Sequence, residues 1–134
     1  MRLSVCLDDR NGMLFLGRRL SQDGAVREAI LADAGNGTVW MNGYSAAQFP
    51  EGACISVAED FWRRAGAQDM CFVENVPVEH FLPAKEIVIY RWNRHYPSDV
   101  KFPLEYALQG LRLLSVKEFA GTSHEWITRE VYGI

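Results

Sequence analysis

Apolar residues alternate with small or polar ones at the start of the chain. Leu3, Val5 and Leu7 occupy every second position, which is the period of a β-strand with one buried face. The sequence DDRNG follows directly at residues 8–12 and is rich in residues that form turns. We interpret Asp8 and Asp9 as part of this turn rather than as a paired acid site. The pattern therefore predicts a first strand that ends before them.

Apolar positions recur at helical spacing between residues 22 and 34. Asp23 near the start and Gly35 after the end are typical of helix termini, so this segment is predicted to be a helix. Two shorter helices are predicted at residues 46–49, with Ser45 as the N-cap, and at residues 59–65, before Gly66.

Short apolar runs rich in branched and aromatic side chains predict further strands. They lie at residues 38–41, 53–57, 70–73 and 87–92. Residues 111–119 and 125–131 are extended segments with no helix between them, which predicts a C-terminal antiparallel hairpin. Strand and helix alternate before that point. The predicted fold class is α/β: a single domain over residues 1–134, with a mixed, mostly parallel sheet flanked by helices.

Charge and composition exclude several function classes. The chain has 134 residues with 14 basic and 17 acidic side chains, so no surface for a nucleic acid is expected, even at the short basic and aromatic stretch at residues 91–96. No apolar run is long enough to span a membrane. Cys6, Cys54 and Cys71 are widely spaced and odd in number, which favours reduced thiols and a cytoplasmic location.

Several segments resemble the dihydrofolate reductase family. One part of the chain resembles the region of these enzymes that runs from the cofactor helix to a Phe-Pro pair. It consists of the segment EHFLP at residues 79–83, the strand IVIY at residues 87–90, and Phe102 and Pro103 after Asp99. The opening strand, the segment VWMNGYS at residues 39–45 and the C-terminal hairpin fall in matching order. The resemblance implies a dihydrofolate-reductase-like fold in a divergent, shortened chain.

The departures from the family fall on the residues that would bind the cofactor. The resemblance implies NADPH as cofactor, held in part by a Gly-Gly pair, but Glu74 and Asn75 occupy the corresponding positions. A carboxylate there would repel phosphates, so the sequence disfavours ordinary NADPH binding. Gly43 replaces the family's basic residue for the cofactor phosphate, whereas Ser45 keeps a hydroxyl where the family has a phosphate-binding Thr.

The substrate side departs from the family as well. Leu20-Ser21-Gln22 replaces the family's Leu-Pro-Trp turn. The family's substrate-binding acid corresponds to Val26 or Arg27, which leaves Glu28, one position away, as the candidate catalytic acid. Arg91 replaces the Thr that supports this acid, and an Arg near Glu28 would form a structural ion pair as readily as a substrate site.

A pocket for a flat heterocycle is a further hypothesis. The resemblance places Cys6 and Leu7 in the wall of a substrate pocket, and Tyr44 and Arg91 carry groups that stack on planar rings. Trp92 is a candidate for the same wall. Apolar neighbours would raise the pKa of Cys6, so we do not expect this thiol to be a nucleophile.

No metal site is predicted. Short bacterial chains that begin similarly carry the label ribonuclease Z, an activity whose zinc ions need a His-x-His-x-Asp-His cluster. The only histidines, His80, His95 and His124, stand far apart in the sequence. The residues therefore do not support that label.

Three functions remain open on the sequence alone. The favoured hypothesis is a divergent dihydrofolate-reductase-like protein that lacks the standard reductase activity and has a cleft for a small planar or nucleotide-like ligand. The first alternative is an NAD(P)H-dependent reductase with a rebuilt cofactor site. The second is a homodimeric structural or interaction protein whose interface includes the sheet edge or the aromatic residues Trp92, Tyr96 and Trp126.

Overall fold

A seven-stranded sheet forms the centre of the computed structural model, which describes residues 1–134. In chain order the strands are β1 (Arg2–Leu7), β2 (Gly12–Phe15), β3 (Arg18–Arg19), β4 (Val39–Met41), β5 (Ile55–Val57), β6 (Met70–Phe72), β7 (Glu86–Arg91), β8 (Val100–Lys101), β9 (Arg112–Phe119) and β10 (Ile127–Gly133). The helices are α1 (Gly24–Ala32), α2 (Gly43–Ala46) and α3 (Leu104–Ala107), and Phe61–Arg63 and Val78–Phe81 form 3-10 turns.

The order of strands in the large sheet is β5-β4-β6-β1-β7-β10-β9. The five strands from β5 to β7 are parallel, and β10 and β9 complete the sheet as an antiparallel hairpin. The prediction of a mostly parallel α/β sheet with a C-terminal antiparallel hairpin is therefore confirmed. None of the helices is long and apolar enough to cross a membrane.

Each face of the large sheet carries its own apolar cluster. Leu3, Val5 and Leu7 of β1 point to one face and are fully buried there, as their alternation predicts. Val88 and Tyr90 of β7 point to the other face, where α1 packs. Because both faces are covered, the central strands are mainly apolar between their ends.

A second, small sheet lies beside the first and was not predicted. Its order is β3-β2-β8, with antiparallel pairing throughout. Two of its strands are only two residues long, too short to show a period of hydrophobicity. This sheet carries Arg19 into the cleft described below.

Two predicted short helices are wrong in position or type. Helix α2 begins at Gly43, earlier than predicted, because Asn42 and not Ser45 is its N-cap: the Asn42 side chain accepts a hydrogen bond from the Ser45 N–H at 3.0 Å. The helix predicted at residues 59–65 is a single 3-10 turn. The Asp60 carboxylate does not cap it, but instead accepts a hydrogen bond from Arg64.

Helix α1 forms within the predicted segment. Asp23 is its N-cap, and one carboxylate oxygen accepts hydrogen bonds from the N–H groups of Ala25 and Val26 at 2.8 and 3.3 Å. Val26 and Ile30 are the residues of the helix that are buried against the sheet.

Candidate functional site

The candidate site is a cleft at the carboxyl ends of the parallel strands. Strand β1 has β6 on one side and β7 on the other, so the chain segments that follow these strands converge here. Ligands of α/β proteins bind preferentially at this edge of the sheet. Asp8, which follows β1, belongs to the turn as predicted, because its carboxylate accepts hydrogen bonds from the N–H groups of Arg10, Gly12 and Tyr96.

Glu74 occupies the centre of the cleft just beyond β6. Its side chain is only 7% exposed, and Arg19 binds it through two hydrogen bonds, from Nε to Oε2 at 3.0 Å and from Nη2 to Oε1 at 3.1 Å. Ser45 Oγ and Gln48 Nε2 also donate to Oε1, at 2.8 and 3.1 Å. The carboxylate is thus neutralised and hydrogen-bonded entirely from within the protein. We call these four residues the Glu74 cluster.

Tyr44 fixes the direction of Arg19. The guanidinium lies 4.3 Å from the centroid of the Tyr44 ring, and Arg19 Nη2 donates to the Tyr44 carbonyl at 3.1 Å. The Arg19 N–H donates to the Tyr44 hydroxyl at 2.9 Å. Strand β3 is therefore held against α2 across the cleft.

Little open volume remains at the centre of the cleft. The central pocket, bounded by Cys6, Ser21, Glu74 and Trp92, has a volume of about 10 Å³. This is room for one water molecule at most. A larger outer cavity of about 320 Å³ opens on the other side of Glu74. Its walls include Met13, Leu14, Asn75, Val76, Glu79 and Lys101.

The structure brings together some of the residues proposed to bind a cofactor. Ser45 and Glu74 are in direct contact, and Asn75 lines the outer cavity while its Oδ1 accepts a hydrogen bond from Asn42 at 2.8 Å. Gly43 points away from them, since its N–H donates to Glu59 at 3.0 Å.

The candidate acid Glu28 does not reach the cleft. It is exposed on α1 and borders a surface groove with Gln48. Arg91 forms no ion pair with it, and instead lies 3.5 Å from Glu130 and donates to Asn11 Oδ1 at 2.6 Å. The expected contact between Arg91 and Glu28 is therefore wrong, because the two side chains lie on different parts of the fold.

The remaining predicted wall residues have mixed positions. Leu7 is fully buried in the apolar core, whereas Cys6 faces the central pocket. Burial, with a smaller contribution from the nearby Glu74 carboxylate, raises the pKa of the Cys6 thiol well above its usual value. Trp92 is buried and not an exposed interface aromatic, while Trp126 is 52% exposed.

No group of three or more His, Cys, Asp or Glu side chains is arranged to hold a metal ion. No family model matches the chain, and no curated protein matches its sequence. A solved structure of dihydrofolate reductase from Enterococcus faecalis, complexed with NADP(H) and RAB-propyl, is similar to it with a TM-score of 0.69. The likeness covers 98% of this chain and 95% of that one, at 9% sequence identity. The fold is that of dihydrofolate reductase.

This likeness confirms the fold implied by the sequence resemblance, and at 9% identity it concerns the fold alone. Within the dihydrofolate-reductase-like fold, the residues that sequence reasoning missed come from the small sheet and the loops. Arg19 follows a second arginine, and no sequence pattern indicates its partner. Gln48 and Lys101 likewise carry no local signal, because each reaches the cleft only through tertiary contacts.

Proposed function

We propose that this protein binds a small planar heterocycle in the outer cavity and does not perform the standard reductase chemistry of its fold. The observation that carries the proposal is the Glu74 cluster. A buried carboxylate, neutralised by Arg19, fills the part of the cleft that the family resemblance assigns to the cofactor.

The residues present do not fit a dinucleotide at this place. The Ser45 hydroxyl, which the resemblance would assign to a phosphate, is buried and donates to Glu74 at 2.8 Å. The positive charge of Arg19 is likewise already paired with that carboxylate. A phosphate would have to displace these contacts and then lie beside a negative charge.

The outer cavity suits a single ring system. A volume of about 320 Å³ lies at the lower end of the range for ligand pockets. Met13, Leu14 and Val76 supply apolar walls, while Asn75, Glu79 and Lys101 supply a hydrogen-bonding amide and both signs of charge. A heterocycle with hydrogen-bond donors and acceptors on its edge matches this set.

The test measures binding of nicotinamide, adenosine, folate and NADPH by calorimetry and thermal shift. We expect saturable binding of nicotinamide or adenosine, each of which has one heteroaromatic ring system. The binding should be lost in Val100→Trp, because Val100 borders the outer cavity and the indole would fill it. Val57→Trp is the matched control, since Val57 is similarly exposed on β5.

Two outcomes would contradict the proposal. The first is oxidation of NADPH by the protein with dihydrofolate as acceptor, which would return it to the reductases. The second is a folded protein that binds none of the four compounds, or binds one equally well in Val100→Trp.

A further inference from the structure

A serine, a histidine and an aspartate form a hydrogen-bonded relay on the side of the cleft opposite the outer cavity. Ser21 Oγ lies 2.9 Å from His124 Nε2, and His124 Nδ1 lies 3.0 Å from Asp23 Oδ2. His124 comes from the loop between β9 and β10, whereas the other two residues precede α1. The order of contacts is that of a nucleophile, a base and an orienting carboxylate.

The imidazole is fixed on all sides. The His124 side chain is 2% exposed and stacks on Trp92, with ring centroids 4.7 Å apart. Gly121 allows the loop to approach Asp23 closely, because a Cβ at this position would lie 2.6 Å from the Asp23 carboxylate. The ring therefore has one orientation in the fold.

The partners of the ring decide where its proton lies. Burial opposes ionisation of Asp23, but hydrogen bonds from His124 and from the Ser123 and Thr122 N–H groups hold the pKa of Asp23 well below its usual range. An ionised carboxylate only accepts hydrogen bonds, so Nδ1 carries a proton and donates a hydrogen bond to Asp23. When the ring is neutral, Nε2 accepts a hydrogen bond from the Ser21 hydroxyl. The Tyr96 hydroxyl, at 3.3 Å from Nε2, is the more distant neighbour.

Ser21 is half-buried at the edge of the cleft. The central pocket that it borders has room for one water molecule at most, so a substrate has to approach from the neighbouring cavity. The backbone N–H groups of Ser21 and Gln22 make no hydrogen bond to another backbone group. A second cavity of about 560 Å³, bounded by Phe15, Leu16, Arg18, Arg19, Leu20 and Tyr96, adjoins the relay through Leu20 and Tyr96.

We propose that Ser21 is the nucleophile of an acyl-transfer activity, with His124 as general base and Asp23 as positioning residue. The substrate class is a carboxylic ester with an apolar acyl group, because the adjoining cavity is lined in part by Phe15, Leu16 and Leu20. This activity goes beyond the binding function proposed above and uses none of the residues of the outer cavity.

The reaction is a hydrolysis in two steps. In the first step, Ser21 Oγ bonds to the carbonyl carbon of the ester and its proton passes to His124 Nε2. The bond from that carbon to the alcohol oxygen then breaks, and the departing alcohol takes the proton from Nε2. Water then attacks the acyl group on Ser21, again with transfer of a proton to Nε2. The acid leaves, and Ser21 recovers its proton.

The experiment treats the whole protein with diisopropyl fluorophosphate and maps the adduct by mass spectrometry. We expect one adduct per chain, on Ser21, because attack of an activated hydroxyl on phosphorus releases fluoride. The adduct should be absent in Ser21→Ala and unchanged in Ser115→Ala, a matched control on β9. His124→Gln should lower the labelling rate at least ten-fold. Hydrolysis of p-nitrophenyl acetate should follow the same ranking of variants.

Asp23 needs a variant that separates positioning from stability. Asparagine is as good an N-cap as aspartate, so Asp23→Asn keeps α1 capped while its amide group can donate to Nδ1. We expect a folded variant in which labelling of Ser21 falls at least ten-fold and the ¹⁵N spectrum of His124 shows the proton moved from Nδ1 to Nε2.

The contacts of His124 also attach the β9–β10 loop to the cap of α1, and this attachment by itself predicts no reactivity. Failure of the wild-type protein to form an adduct on Ser21 would overturn the proposal. Labelling that persists at the wild-type rate in folded His124→Gln would overturn it equally.

Discussion

The cleft contains two polar clusters, and one short segment of chain contributes residues to both. Arg19 of this segment binds Glu74. Ser21 and Asp23, two and four residues after Arg19, both form hydrogen bonds with His124. In the first cluster every side-chain contact is a hydrogen bond to the Glu74 carboxylate, from the charged Arg19 or from Ser45 and Gln48. In the second, one ionised carboxylate orients the His124 ring, and the Ser21 hydroxyl stands at the end of the chain of hydrogen bonds.

This difference separates a closed cluster from a reactive one. Glu74 and Arg19 satisfy each other, so their cluster has no group left to give a ligand. The relay ends at the half-buried Ser21 hydroxyl, and Leu20, the residue before it, lines a cavity of about 560 Å³. Burial alone therefore does not identify a functional group: what counts is whether the hydrogen-bond network ends inside the protein or at a cavity.

The largest effect is expected for Glu74→Ala. Loss of this carboxylate leaves the Arg19 guanidinium, 20% exposed, without its partner and removes the acceptor for Ser45 and Gln48. We expect the free energy of unfolding, measured in urea, to fall by about 4 kcal/mol, which is typical of the removal of one partner of a buried ion pair. Asp60→Asn, at an exposed ion pair with Arg64, should have no measurable effect.

The double variant Arg19→Met, Glu74→Met tests the reason for that loss. If the cost comes from an uncompensated charge, replacing both partners should recover most of the stability that Glu74→Ala loses. A double variant as unstable as the single one would show that the cluster is needed for its hydrogen bonds rather than for charge balance.

A smaller effect is expected for Asp23→Ala, at the other cluster. This change removes the N-cap of α1 and the acceptor for the loop of residues 122–124. We expect a loss of about 3 kcal/mol, of which about 1 kcal/mol belongs to the cap. Asp23→Asn should lose about 2 kcal/mol, because it keeps the cap but not the negative charge that the loop binds. An equal loss in both variants would contradict this division.

The same aspartate makes the stability of the protein sensitive to acid. The pKa of Asp23 is lower in the folded than in the unfolded protein. Its contribution to the free energy of unfolding is therefore complete above about pH 4, the ordinary aspartate pKa. It is lost as the pH falls below that value, since the unfolded chain then binds the proton more tightly. The slope of unfolding free energy against pH between about 4 and 2 should be smaller in Asp23→Asn than in the wild type.

The sequence was sufficient for the large sheet because its strands carry their own signals. The alternation of Leu3, Val5 and Leu7 and the apolar strand β7 predicted the central strands before any contact was known. The helical segment after Asp23 was predicted for the same reason. These features depend on neighbouring residues, which periodicity and capping describe well.

Neither cluster could be predicted, because each joins residues that are far apart in sequence. Glu74 was identified as the residue that departs from the family, but its partner Arg19 is 55 positions away on a two-residue strand. His124 lies 101 positions from Asp23 and was considered only as a metal ligand. A single sequence carries no signal for such pairs, which the fold alone brings together.

The smallest effect compares the same substitution in both clusters. Ser45→Ala removes a fully buried hydroxyl that donates to the Glu74 carboxylate, so we expect a loss of about 1.5 kcal/mol in urea unfolding. Ser21→Ala removes a half-buried hydroxyl that donates to a neutral ring, and we expect about 0.5 kcal/mol. The order should reverse in labelling by diisopropyl fluorophosphate, which needs Ser21 and not Ser45. A larger stability loss at Ser21 than at Ser45 would mean that the relay holds the fold together, and the distinction between the clusters would fail.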